Sequence, residues 1–288
     1  MTERASRVCL GIDPRPGAHP LMRREPGDDP GEVAERVVAF YGAMLDGAHD
    51  VIACVKPQSA FFEALGVPGG DALARVMQRA RALDLPIILD AKRGDIGSTA
   101  EAYASAYLGD GPLRADALTI SPYLGVDTLE PFVDAAARSG AGLFVLVVTS
   151  NPGAAALQDL VTEDGRRVYE HVADAVAAHA ARLAPATGYA PVGAVVGATR
   201  GRRLAELRAR LPRSLLLVPG YGAQGGGADD VTAAFDEARL GAVVSSSRHL
   251  VPSSEARDLG AVARAARERA AAMRDDIARA LERTGASA

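Results

Sequence analysis

The 288-residue sequence contains no tryptophan, only two cysteines, and few aromatic residues of any kind, 5% in all. The missing tryptophan says only that the core is aliphatic. Cys9 and Cys54 each sit inside an apolar run. They read as small core residues rather than a disulfide framework or a metal site. The five histidines show no metal-ligand spacing, and no Cys/His cluster exists. A basic excess is missing too. The net charge is −4, so no global field suggests nucleic acid, although a local basic cluster can still bind a phosphate. The opening stretch MTERASRVCLGID lacks the apolar h-region of a signal peptide, and no uninterrupted apolar run reaches membrane-spanning length. These absences lead to the expectation of a soluble, cytoplasmic protein with no metal or dinucleotide cofactor and with neither nucleic acid nor membrane as partner.

What is present is an ordinary globular balance, 48% hydrophobic and 24% charged, long enough to bury a large core. Eight short apolar runs alternate with helix-period segments: Val8–Ile12, Val51–Val55, Pro86–Leu89, Ala117–Ile120, Leu143–Val148, Val192–Val196, Leu215–Val218 and Ala242–Val244. Most are too short and too apolar for amphipathic helices, and read as strands buried on both faces. Helices are expected over Glu32–Leu45, Ala72–Leu83, Leu129–Ala137, Arg166–Leu183, Leu204–Leu211, Val231–Ala238 and, as a long closing helix, Arg257–Leu281. Ser98, with Glu101 three residues on, has the pattern of a capping box. Pro14–Gly31 and Asn151–Asp164 read as long loops. Eightfold strand–helix alternation predicts an α/β fold, a single parallel (β/α)8 TIM barrel with a long C-terminal helix, covering 1–288 as one domain. A doubly wound open sheet is the alternative.

Polar residues cluster where each apolar run ends: Asp13, Lys56, Asp90 with Lys92, Ser121, Thr149 with Ser150, Gln224 and Arg248. In a parallel barrel those ends share one rim, where barrel active sites are built. In Asp90-Ala91-Lys92-Arg93-Gly94-Asp95, period two puts Asp90 and Lys92 on the same side if the strand continues through Lys92. With Lys56 from the neighbouring strand and Asp95 from the loop, two cations and two carboxylates come together. Flanking carboxylates favour the ammonium form of lysine, which suits a proton donor rather than an amine nucleophile. A solvated, charged loop is the plainer reading of the same segment. The glycine-rich Pro219–Gly227 and Ser245-Ser246-Ser247-Arg248 fall in the loops after strands seven and eight, where barrels commonly bind phosphate. A flexible turn plus a surface arginine is their plainer reading. Thr149–Ala154 offers hydroxyls to an amide-like base edge or a sugar, or is an ordinary polar turn. Arg200–Arg203 reads as a solvated helix start rather than a second anion site.

Taken together, GIDPR (Gly11–Arg15), VKPQSAFFE (Val55–Glu63), LDAKRGDIGSTA (Leu89–Ala100), SPYLG (Ser121–Gly125), VTSNPGA (Val148–Ala154), VPGYGAQGG (Val218–Gly226) and SSSRHL (Ser245–Leu250) resemble the orotidine 5'-phosphate decarboxylases, in their longer bacterial subfamily. The resemblance runs in order from Gly11 to Leu250. It implies cofactor-independent decarboxylation of orotidine 5'-monophosphate to uridine 5'-monophosphate, the last step of de novo pyrimidine biosynthesis. It makes Lys92 the proton donor to pyrimidine C6, Asp90 the carboxylate facing the substrate carboxylate, and Lys56 the lysine that completes the charged array. Asp95 and Thr99 are implied to cross a homodimer interface into the partner's site, giving shared active sites, with Ile96 also a substrate contact. Asp13 looks like a ribose ligand, Ser150 a pyrimidine contact, and Gln224 and Arg248 phosphate ligands. Gln58 departs from the asparagine expected after Lys-Pro, and Pro14–Gly31 has no counterpart. A metal-dependent ketogulonate-phosphate decarboxylase or hexulose-phosphate synthase, a Schiff-base aldolase, and a non-catalytic nucleotide-binding barrel are the competing readings. The first needs a divalent ion, the second a neutral lysine, and the third has no use for the charged array.

Overall fold

The computed structural model describes residues 4–198, 201–222 and 225–285. Eight strands alternate with helices: β1 (Val8–Ile12), α1 (Pro30–Ala48), β2 (Cys54–Pro57), α2 (Ser59–Glu63), α3 (Val67–Ala82), β3 (Ile88–Arg93), α4 (Gly97–Leu108), β4 (Ala117–Ile120), α5 (Glu130–Ser139), β5 (Gly142–Val148), α6 (Ala155–Gln158), α7 (Val168–Leu183), β6 (Ala190–Val196), α8 (Gly201–Arg210), β7 (Ser214–Pro219), α9 (Ala228–Val231), β8 (Ala242–Ser246) and α10 (Leu259–Gly285). The strands belong to one sheet in the order β2-β1-β8-β7-β6-β5-β4-β3. The two ends of that series, β2 and β3, are joined by parallel bridges Val55↔Ile87 and Gln58↔Asp90. The order is therefore cyclic, as in a parallel (β/α)8 barrel. β1 (VCLGI) and β4 (ALTI) are buried at every position, as expected of parallel strands covered on both faces.

The chain forms two compact units, Met1–Ala91 with Ser246–Asp276, and Lys92–Ser245 with Ile277–Ala288. In the first, Asp29 caps α1 by accepting from the Gly31 and Glu32 N–H groups, with Pro30 at the first helical position. The segment Pro14–Gly31, read as a loop, contains a 3-10 turn at Pro20–Met22. It is fastened by His19, whose Nδ1 accepts from Leu21 N–H at 3.2 Å and whose Nε2 lies 3.1 Å from the Ser253 carbonyl. Gly11 allows a close approach here: a Cβ on it would collide with Ser247 Oγ. In the second unit, Gly140 ends α5 in the left-handed conformation (φ 71°). Along α10, Val262, Ala266, Ala270, Met273, Ile277 and Ala280 are buried at helix spacing.

Several boundaries differ from the sequence reading. β2 begins at Cys54 rather than Val51, because the Val51 N–H closes the turn after α1 on the Ala48 carbonyl. The helix expected over Val231–Ala238 is a single turn, Ala228–Val231, followed by 3-10 residues Thr232–Ala234. There Phe235 is extended, and the Asp236 carboxylate accepts the Leu240 N–H at 2.9 Å, an aspartate side chain competing with the helix for backbone groups. Ser98 lies inside α4, which starts one residue earlier, so the expected capping box does not form; instead Asp95 Oδ1 accepts the Ile96 N–H at 2.8 Å. Asn151–Asp164 is not all loop, since it holds a 3-10 turn at Pro152–Ala154 and α6.

Candidate active site

In the first unit the ends of β2 and β3 meet at Asp90. Lys56, next to last in β2, is buried, and its Nζ donates to Asp90 Oδ2 at 2.7 Å. Gln58 Nε2 donates to the same oxygen at 2.9 Å. The bridge between Gln58 and Asp90 sets this register. Burial opposes the Lys56 ammonium, but the charges of Asp90 and then Asp13 outweigh it and raise its pKa above the ordinary lysine value. Lys56 is therefore a fixed cation.

Asp13 follows β1 directly. It lines a cavity of about 250 Å³ with Arg15, Tyr41, Ser247 and Arg248. The structure thus brings Asp13 and Arg248 together, although 235 positions separate them in sequence (248 − 13). Arg15 is steadied by stacking over Phe61, its guanidinium carbon 4.8 Å from the ring centre.

In the second unit the end of β3 is tied to β4. The Lys92 N–H donates to Thr119 Oγ1 at 2.9 Å, and the Ser121 N–H to the Arg93 carbonyl at 2.8 Å. Lys92 has φ 49°, a left-handed conformation uncommon for a side-chain-bearing residue. The strand does run through Lys92. Asp90 is buried and Lys92 exposed in the single chain. Asp95 is half-buried, and Ile96 and Thr99 are exposed. After β5, Thr149 is held by Gln158 twice: Gln158 Oε1 accepts its N–H at 3.0 Å and Gln158 Nε2 donates to its Oγ1 at 2.9 Å. Ser150 follows, half-buried against Gly197, where a Cβ would come within 3.1 Å of it. Gln224 and Arg200 lie outside the described residues.

Some contributors were not singled out from sequence. Gln58 stood out only as a departure from a motif. Gln158 and Tyr41 carry no local signal, because their partners come from other elements. Arg203 was read as solvated, yet its Nη2 donates to Asp159 Oδ2 at 2.9 Å and its guanidinium stacks on Tyr169. Among the described residues no group of three His, Cys, Asp or Glu could hold a metal ion, and no helix is long and apolar enough to cross a membrane.

A family model described as orotidine 5'-phosphate decarboxylase / HUMPS matches residues 6–265. The orotidine 5'-phosphate decarboxylase of Rhodopirellula baltica is 50% identical over 253 residues, 85% of this chain and 83% of that protein. The enzyme of the same name from Deinococcus radiodurans is 44% identical over 283 residues, 96% of this chain and 94% of its own. The solved structure of Leishmania donovani OMP decarboxylase superposes with a TM-score of 0.73 at 35% identity, covering 95% of this chain and 96% of that one. On the family match and these identities, the chain belongs to the orotidine 5'-phosphate decarboxylase / HUMPS family.

Proposed function

We propose that this chain decarboxylates orotidine 5'-monophosphate to uridine 5'-monophosphate and carbon dioxide, without metal or organic cofactor, as a homodimer with shared active sites. The observation that carries the reading is the buried Lys56–Asp90 pair with Gln58 on the same carboxylate oxygen, in a chain 50% identical to a decarboxylase of that name. A buried ion pair is a poor source of stability, because desolvation offsets attraction. Its placement at strand ends suits a catalytic role better.

The chemistry follows from charge. When the bond from C6 to the carboxylate breaks, its electron pair stays on C6 and carbon dioxide departs. The Lys92 ammonium stabilises that pair and then transfers its proton to C6. Asp90, which accepts from Lys56 and Gln58, faces the substrate carboxylate and disfavours it. Asp13 takes the ribose, Ser150 the pyrimidine edge, and Arg248 with Gln224 the 5'-phosphate, whose binding energy is available to organise the site. Asp95, Ile96 and Thr99 reach the partner's substrate. Exposed Ile96, Tyr123, Leu124 and Val126 after β3 and β4 support an interface on that side of the second unit. The single cyclic sheet supports reading 1–288 as one barrel domain.

The test is loss of orotidylate absorbance with purified, EDTA-treated protein. Full turnover is expected. No turnover, or turnover restored only by a divalent ion, overturns the proposal.

A further inference from the structure

Lys92 stands in a conformation that lysine seldom takes. Among the described residues, Ala5, Asp84, Lys92 and Arg239 are the only ones other than glycine with positive φ. Ala5, Asp84 and Arg239 lie in connections between elements, whereas Lys92, at φ 49°, lies within β3. A left-handed residue that carries a Cβ is strained, and it persists only where its surroundings hold it. Here the neighbouring strand does so. Thr119, on β4, is 1% exposed, and its Oγ1 accepts the Lys92 N–H at 2.9 Å. The next residue, Arg93, is held from two directions. Its carbonyl accepts the Ser121 N–H at 2.8 Å. Its guanidinium lies over Tyr103 and Tyr107 of α4, 5.4 and 5.7 Å from the ring centres, and Nη2 donates to Tyr107 Oη at 3.2 Å.

β4 reads ALTI and is buried throughout. At such a position valine would fill the volume of Thr119 with no hydroxyl to satisfy, so the buried hydroxyl is explained by its use. Without that acceptor the Lys92 N–H must find another partner, and the strained φ relaxes towards the extended value of about −120°. That rotation swings the Cα–Cβ bond of Lys92 and carries the ammonium with it. We propose that Thr119 is a positioning residue: by accepting the Lys92 N–H it holds the left-handed turn, and thereby aims the Lys92 ammonium at the reacting carbon. The inference rests on the functional reading of Lys92 above and deepens it, by naming what fixes the proton donor in place. The negative charge that Lys92 meets develops only in the transition state, so the positioning acts on turnover and not on ground-state binding.

Two variants remove the acceptor. Thr119→Val keeps the shape and Thr119→Ala does not, and either one that folds is sufficient. Thr119→Ser restores the hydroxyl. In the first two kcat should fall about 10- to 100-fold, the scale of a misplacement of about 1 Å, while calorimetric UMP affinity stays within about twofold of wild type. Thr119→Ser should recover most of the lost turnover. The conformation itself can be read, because Lys56 and Lys92 are the only lysines in the chain. Protein carrying isotope-labelled lysine therefore gives two amide signals by NMR, and the one lost in Lys92→Arg belongs to Lys92. The coupling between its amide and α protons reports φ, and should change in Thr119→Val but not in Thr119→Ser. The inference is overturned if kcat is unchanged, if kcat and UMP affinity fall by the same factor, if Thr119→Ser is no better than Thr119→Val, or if the coupling stays the same. Failure of both Thr119→Val and Thr119→Ala to fold would assign Thr119 to stability, and overturns it too. Wild type without turnover removes the functional reading itself, whereas wild-type turnover with equal kcat in the variants removes only the role of Thr119.

Discussion

At the scale of single residues, Lys56 has the most to lose. Its ammonium is buried against Asp90, and removing one partner of such a pair leaves a buried charge uncompensated. Lys56→Met should therefore destabilise the fold by about 3–5 kcal/mol at neutral pH and lower turnover by at least a factor of about 100. The pH dependence has a definite sign. The folded-state pKa of Lys56 is raised, so its contribution is complete below the unfolded value of about 10.4 and is lost as pH rises through the folded one. Urea unfolding of both proteins at neutral and strongly alkaline pH checks this: the stability gap should narrow with rising pH, and a widening gap would contradict the charged-lysine assignment. Arg248 makes a different kind of prediction. If it grips the 5'-phosphate, Arg248→Ala weakens nucleotide binding strongly while hardly changing that of the free nucleoside. Equal losses for the two ligands would count against its role. Lys56, Asp90 and Arg248 were all legible in sequence, because each is a charge at the end of an apolar run. Gln58, Gln158 and Tyr41 were not, because an uncharged side chain shows its use only when its partner is seen.

At the scale of elements, α6 is the part least expected from sequence. It is a four-residue turn inside a segment that reads as loop, and its last residue, Gln158, clamps Thr149 with both ends of its amide. The next residue, Asp159, is held by Arg203 of α8, so the segment after β5 is pinned on two sides. Gln158→Ala removes the acceptor from the Thr149 N–H and frees the loop that carries Ser150. The KM for orotidylate should rise several-fold, and more than kcat falls, as ordering that loop then falls to the ligand. Gln158→Glu keeps the acceptor and should recover part of the loss in steady-state kinetics. A KM unchanged in Gln158→Ala would show that the clamp plays no part in substrate binding. Boundary errors elsewhere have the same physical origin. The apolar spacing of Val231–Ala238 suits a helix, but Asp236 captures the Leu240 N–H and the helix stops. The Ser98–Glu101 spacing suits a capping box, but the helix begins at Gly97.

At the scale of the whole molecule, the claim most exposed to test is the shared site. Asp95 and Thr99 follow Lys92 by only a few residues, and apolar Ile96 between them is exposed. If Asp95 serves the partner's site, inactive Lys92→Ala and inactive Asp95→Ala should complement each other when subunits exchange. One site of each heterodimer then holds both residues intact, and activity should return to roughly a quarter of wild type per total protein if exchange is random and the sites are independent. No recovery, with heterodimers confirmed by native mass spectrometry, would mean that Asp95 serves its own chain.

The sequence by itself determined the order and the class of the elements. Eight apolar runs too short for helices, alternating with helix-period segments, allow few arrangements other than a parallel sheet with helices outside it, and strand-end charges then fall on one rim. It also determined which charges stand at that rim, because strand ends are marked by the change from apolar to polar. Only the tertiary structure decided how these groups are used. Residues far apart in sequence, such as Asp13 and Arg248 or Ser150 and Gly197, become neighbours through strand order and register, which no local pattern encodes. The left-handed turn at Lys92 was equally hidden: no propensity favours it in a lysine, and it persists because hydrogen bonds from Lys92 to Thr119 and from Ser121 to Arg93 hold the chain on both sides of it.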